Sequence, residues 1–247
     1  MPATKGYTML SINSLTKTYS KSSVKAVNNL NLKLNAGEIF GFLGPNGAGK
    51  STTIKCLTGI LPYENGTIEI CGHELKADPV KAKRHIGYVP DGGVAYDKLT
   101  GLEYINFMSD MYGVSTEDRK ARAELYLAKF GLTESAGKPI KSYSHGMQQK
   151  INIIGALIHE PELWVLDEPM TGLDPQSAYE LKELMREHCN KGYTVFFSSH
   201  VLDVVEKICD RVGIINKGEL VSVFDIKELK EKRADLSLEE FFLSVTK

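Results

Sequence analysis

The chain has 247 residues, 42% of them hydrophobic and 25% charged, with a formal net charge of −1. That length buries a substantial core in one large domain or one domain with an insert, and the near-neutral balance gives no electrostatic case for nucleic acid or an anionic membrane surface. Four scattered cysteines without a CxxC pair speak against a zinc or disulfide framework and fit a reducing cytosol, and no apolar run is long enough to cross a bilayer.

Residues 1–9 carry no periodic pattern and no signal-peptide core, and are expected to be flexible. The alternating stretches LSINSL (10–15) and AVNNLNLKL (26–34) predict antiparallel strands with one wet face. EIFGFLG (38–44) is nearly continuous in apolar character and predicts a buried strand. A glycine-rich turn follows, then a helix from Lys50 to about Leu61. Short strands are expected at Thr67–Ile70 and Ile86–Val89, and a helical stretch from about Gly101 to Lys141. SYSHGMQQ (142–149) predicts a polar loop opening a helix, with Ser144 a candidate N-cap and Met147, Ile151, Ile154 and Ile158 at near-helical spacing. Strand patterns return at LWVL (163–166), TVFFS (194–198) and RVGII (211–215), separated by helices. The NKGE turn (216–219) before LVSVF predicts a hairpin, and the charged last twenty or so residues predict helix ending in SLEEFFLSV. Strand–helix alternation around a helical insert predicts an α/β fold: a mostly parallel sheet covered by helices, with a small N-terminal antiparallel sheet and a helical subdomain.

Four motifs carry chemistry. GPNGAGKST, comprising Gly44, Pro45, Asn46, Gly47, Ala48, Gly49, Lys50, Ser51 and Thr52, fits G-x-x-x-x-G-K-[ST] and lies between a buried strand and a helix. Its glycines let backbone N–H groups point inward around phosphates, Lys50 reaches the β- and γ-phosphates, and the Ser51 hydroxyl suits Mg²⁺. LWVLDEP (163–169) ends an apolar strand in two carboxylates, which is costly unless something compensates them. Asp167 suits the Mg²⁺ shell and Glu168 suits proton acceptance from an attacking water. FFSSH (196–200) places His200 at another strand end, the edge where doubly wound sheets bind ligands, although a lone histidine is more often structural. MTGLDP (170–175) is by composition only a turn.

The ordered set GPNGAGKST, YSHGMQQK, LWVLDEP, TGLD and SSH resembles the nucleotide-binding subunit of ABC transporters, over about Leu10 to Phe224. The resemblance implies a P-loop NTPase core at 10–225 with a helical subdomain near 91–158, and a helical tail at 226–247. It implies ATP and Mg²⁺ as cofactors, ATP hydrolysis, and a second ATPase subunit in a head-to-tail dimer. It also implies integral-membrane permease subunits as separate chains, a position on the cytoplasmic face of the membrane through them, and no nucleic-acid partner. On the same footing Tyr19 is the aromatic that stacks on adenine. Asp174 is the loop aspartate that communicates across the dimer, and His200 the switch histidine at the γ-phosphate. Ser144 and Gly146 close over the nucleotide held by the other copy. The family commonly has LSGGQ where this chain has Tyr143, Ser144, His145, Gly146 and Met147, and a glutamine where it has Asp91, here carried as a metal-side residue. These departures and the tail resemble bacterial-type exporters with separate permeases. Two alternatives remain at this level: a soluble ABC-type ATPase outside transport, and a nucleotide switch with degenerate catalysis.

Overall fold

The computed structural model describes residues 7–20, 23–92, 96–232 and 237–246. Strand β1 (Thr8–Thr18) pairs antiparallel with β2 (Lys25–Asn35), and the alternating burial of β2 puts Val27, Leu30, Leu32 and Leu34 on one inner face. β1 opens two residues before the sequence pattern, because Met9 is buried and the Tyr7 carbonyl accepts the Ala36 N–H. Thr8 and Met9, expected within the flexible N-terminal segment, thus belong to β1, and residues 1–6 lie outside the described residues. Then follow β3 (Ile39–Leu43), α1 (Lys50–Leu57), β4 (Asn65–Ile70) and β5 (His73–Glu74). Helix α1 stops before Leu61, because the N–H groups of Gly59, Ile60 and Leu61 fold back onto the Cys56 and Lys55 carbonyls.

After α2 (Pro79–Arg84) and β6 (Ile86–Val89) comes the predicted helical stretch, resolved into α3 (Gly101–Tyr112) and α4 (Thr116–Lys129). Thr100 and Glu103 form a capping box that starts α3, and Ser115 caps α4. Helix α5 (His145–Leu157) buries Ile151, Ile153 and Ile154 against the insert, and β7 (Leu163–Leu166) is buried at every residue. The chain continues through α6 (Pro175–Asn190), β8 (Thr194–Ser199), α7 (Leu202–Ile208), β9 (Arg211–Asn216), β10 (Glu219–Asp225), α8 (Ile226–Lys232) and α9 (Leu238–Thr246). Lys217 and Gly218 both have positive φ, as a two-residue hairpin turn requires, and β9 and β10 pair antiparallel as predicted.

Two sheets result, a four-stranded antiparallel one in the order β2-β1-β4-β5 and a six-stranded one in the order β10-β9-β3-β8-β7-β6. Five strands of the larger sheet run parallel, and only the β10 edge is antiparallel. Strands covered on both faces read as unbroken apolar runs, which is why IFGFL and LWVL are legible without alternation. One core cluster joins β1, β2 and β4 to one face of the larger sheet through Phe40, Phe42 and Phe196. The other joins the opposite face to α3–α6 around Trp164.

Candidate functional site

Neighbouring parallel strands end at one edge, and their register sets what meets there. Leu43 at the end of β3 pairs with Ser199 of β8, and Phe197 of β8 pairs with Leu166 of β7. The glycine-rich loop, the two acids and His200 therefore leave the sheet side by side.

The loop after β3 closes tightly. Ala48 N–H donates to the Pro45 carbonyl at 3.1 Å, and Gly218 N–H donates to the Ala48 carbonyl at 2.8 Å. Gly49 has φ +111°, and a β-carbon there would overlap the Ala26 carbonyl oxygen, so only glycine fits. The buried Lys50 side chain folds back over the loop, donating from Nζ to the Gly44 carbonyl at 2.6 Å and the Pro45 carbonyl at 3.3 Å. Burial pushes the Lys50 ammonium below its ordinary value, while Glu168 and Asp167 push it back up.

Asp167 follows β7 and is 1% exposed. Its Oδ1 accepts the Ser198 hydroxyl at 2.6 Å, and the same Ser198 oxygen accepts the Glu168 N–H at 3.0 Å. Glu168 takes a left-handed conformation, φ +48°, which is costly for a residue with a β-carbon. Its Oε2 lies 2.9 Å from Nδ1 of the exposed His200. A cleft of about 380 Å³ opens in front, lined by Tyr19, Asn46, Gly47, Gly49, Lys50, Ser51, Thr52, Asp91 and Glu168. Tyr19 borders it, with its hydroxyl bonded to Thr52 Oγ1 at 3.1 Å.

Ser144, Gly146 and Asp174 do not line this cleft. Ser144 is the N-cap of α5, accepting the Met147 N–H at 3.3 Å. A β-carbon on Gly146 would sit 2.6 Å from the Gly172 carbonyl oxygen, and one on Gly172 would sit 2.5 Å from His145 Cδ2. The loop at 144–146 and the turn after the acids are thus pressed together. Asp174 caps α6 through the Ser177 N–H and hydroxyl and pairs with Lys150 at 2.8 Å. Lys150, then Ser177, hold its carboxyl well below the usual carboxylate range.

The donor types fit Mg²⁺. The Ser51 hydroxyl and the Asp167 carboxylate are hard oxygens, and Mg²⁺ ordinarily completes its shell with waters and substrate phosphates. Among the described residues no group of three or more His, Cys, Asp or Glu could hold a metal ion. Sequence reasoning passed over Ser198 and Lys150. Both lie inside quoted motifs, but a serine within a strand and the last lysine of YSHGMQQK carry no signal until strand register and helix packing place them.

Residues 27–171 match the ABC transporter family. The linearmycin resistance ATP-binding protein LnrL of Bacillus subtilis is 41% identical over 87% of this chain and 68% of its own length. The ABC transporter ATP-binding protein NatA of the same organism is 33% identical over 91% and 92%. A solved ATP-binding subunit of an ABC transporter superposes with a TM-score of 0.91 at 31% identity, covering 97% of this chain and all of the other. A dimeric ATP-binding cassette in a post-hydrolysis state bound to ADP and Pi superposes with a TM-score of 0.80 at 26% identity, over 88% and 99%. The phosphate loop, the paired acids and the cleft between them thus lie in a chain that belongs to the ABC transporter family, as its ATP-binding and ATP-hydrolysing subunit.

Proposed function

We propose that the cleft holds ATP with its triphosphate on Gly44–Thr52, Tyr19 against the base and Glu168 as the general base. The observation that carries this reading is that Glu168, tied through Ser198 to Asp167 and bonded to His200, lines one cleft together with Lys50 and Ser51. Backbone N–H groups of the loop and the start of α1 favour phosphate oxygens, and Lys50 trades its two carbonyl contacts for them. Ser51 and Asp167 would hold Mg²⁺, with Asp91 on the metal side of the cleft. Bound there, the ion neutralises charge developing on the phosphates. Glu168 takes the proton of the attacking water, a step worth about 10²–10⁴ in rate, and His200 orients that carboxylate and reaches toward the γ-phosphate.

Ser144 and Gly146 do not line this cleft, and the reading extends to a head-to-tail dimer in which they close over the partner copy's nucleotide and Asp174 faces the interface. Binding and release of ATP then drive separately encoded integral-membrane permease subunits from the cytoplasmic face. No helix among the described residues is long and apolar enough to cross a membrane. A solved relative from Clostridium perfringens that is part of the ABC transporter complex cbiONQ, 26% identical with a TM-score of 0.75, supports a multi-chain assembly. Export is supported by the relative named for linearmycin resistance. The organisation is an ATPase domain to residue 225, with a helical subdomain at about 91–158 and a tail at 226–247. Glu168→Gln tests the core of this: the variant is expected to bind ATP, release phosphate at least about 100-fold more slowly, and elute as a dimer with ATP. Phosphate release at the wild-type rate overturns Glu168 as the base.

A further inference from the structure

The C-terminal helix α9 packs on α7, the helix that follows His200. It starts with its own capping box, Ser237 accepting the Glu240 N–H at 3.2 Å and Glu240 accepting the Ser237 N–H at 2.9 Å. Leu238, Phe241, Phe242 and Val245 recur at helical spacing and face the core, so the amphipathic tail docks on its own chain. Phe224 meets Phe241 edge-on at 4.9 Å, Lys230 of α8 pairs with Glu206 of α7 at 3.2 Å, and the Asn216 side chain donates to the Thr246 carbonyl at 3.0 Å.

Phe242 goes further than the rest. It lines a gap of about 240 Å³ whose other walls are the phosphate-loop residues Gly44, Pro45 and Asn46 and the turn bearing Ser199, His200 and Leu202. That turn has few restraints of its own. Val201, the N-cap of α7, makes no side-chain capping bond, and its N–H is held by Ser199 Oγ at 3.0 Å. The His200 ring is exposed on its solvent side and meets Glu168 on the other. A phenyl ring walling the space behind such a turn limits how far it can swing into that space, because aromatic side chains are bulky and lose little entropy when held in place.

We propose that Phe242 is a positioning residue for the ATPase reaction: α9 holds it as one wall of the gap behind the phosphate loop and the His200 turn, so that it limits the swing of that turn and keeps His200 on Glu168. This rests on the roles given above to His200 and Glu168. The test uses the full chain and reads the imidazole NMR signal of His200, assigned by its loss in His200→Ala, beside steady-state ATPase. Phe242→Ala is expected to shift or broaden that signal and to lower kcat about tenfold, with KM for ATP changed less than about twofold. Phe242→Leu moves the signal in the same direction by less, and serves if the alanine variant does not fold. Val245→Ala, on the same helix face but outside the gap, is expected to lower the melting temperature and leave the His200 signal in place. In the His200→Ala background Phe242→Ala is expected to cost no further activity. An unmoved His200 signal in both Phe242 variants, or a shift in Val245→Ala as large as theirs, overturns the proposal. A moved signal with unimpaired ATPase in His200→Ala instead upholds the positioning and overturns the role of His200.

Discussion

The Ser198 hydroxyl donates to the buried Asp167 carboxylate at 2.6 Å, and its oxygen accepts the backbone N–H of Glu168 at 3.0 Å. One side chain on β8 therefore serves both acids at the end of β7, compensating the buried charge and fixing the left-handed turn that aims the base. Ser198→Ala removes both bonds. Urea denaturation is expected to show a loss of about 1–3 kcal/mol, the cost of leaving a buried acceptor unpaired. ATPase activity should fall with it, because the Glu168 backbone loses its anchor.

The Tyr19 hydroxyl bonds Thr52 Oγ1, but stacking on a base would use its ring face. Tyr19→Phe is expected to bind ATP with nearly the wild-type Kd. Tyr19→Ala should bind about 5–150-fold more weakly, corresponding to about 1–3 kcal/mol of base stacking. Fluorescence titration with ATP separates the two. Equal affinity for Tyr19→Ala and wild type would place the base elsewhere.

The contact between Gly146 and the Gly172 carbonyl leaves no space for a methyl group. Gly146→Ala is expected to displace the loop of residues 144–146 and to abolish ATP-dependent dimerisation of the Glu168→Gln chain in gel filtration. Binding of ATP to the monomer should survive, because Gly146 does not line the cleft. Loss of monomer binding as well would contradict the separation of the two surfaces.

Two histidines away from the site give the fold a defined acid sensitivity. Burial lowers both His159 and His188 from 6.5 to about 4, and His159 Nδ1 and His188 Nε2 are buried without hydrogen-bond partners among the described residues. Between those values the unfolded chain binds more protons than the folded one. Stability contributed by neutral burial is thus fully present above about pH 6.5 and falls as pH drops toward 4. Each histidine is expected to contribute up to about 1.4 kcal/mol per pH unit in that window. Urea melts at several pH values measure the slope, and His159→Gln should remove its share of it.

Local sequence determined a large part of this protein. The apolar runs IFGFL and LWVL had to be buried strands, the glycine spacing of Gly44–Thr52 had to make a phosphate loop, and Thr100, Ser115 and Ser144 each start a helix by capping its first free N–H groups. These features depend on residues a few positions apart, so their physics is written in the order of the chain. What only the tertiary structure decided is which strand ends become neighbours. The order β3-β8-β7 brings Leu43, Ser199 and Leu166 to one edge across more than a hundred residues, and no local propensity selects it. The same holds for Ser198 serving two acids, for Asp174 pairing with Lys150, and for the tail: its helical pattern was legible, whereas the surface it covers was not. Parallel strands joined by crossovers gain their pairing energy from packing between distant segments, so the assembled core, and not any motif, sets the distances within the site.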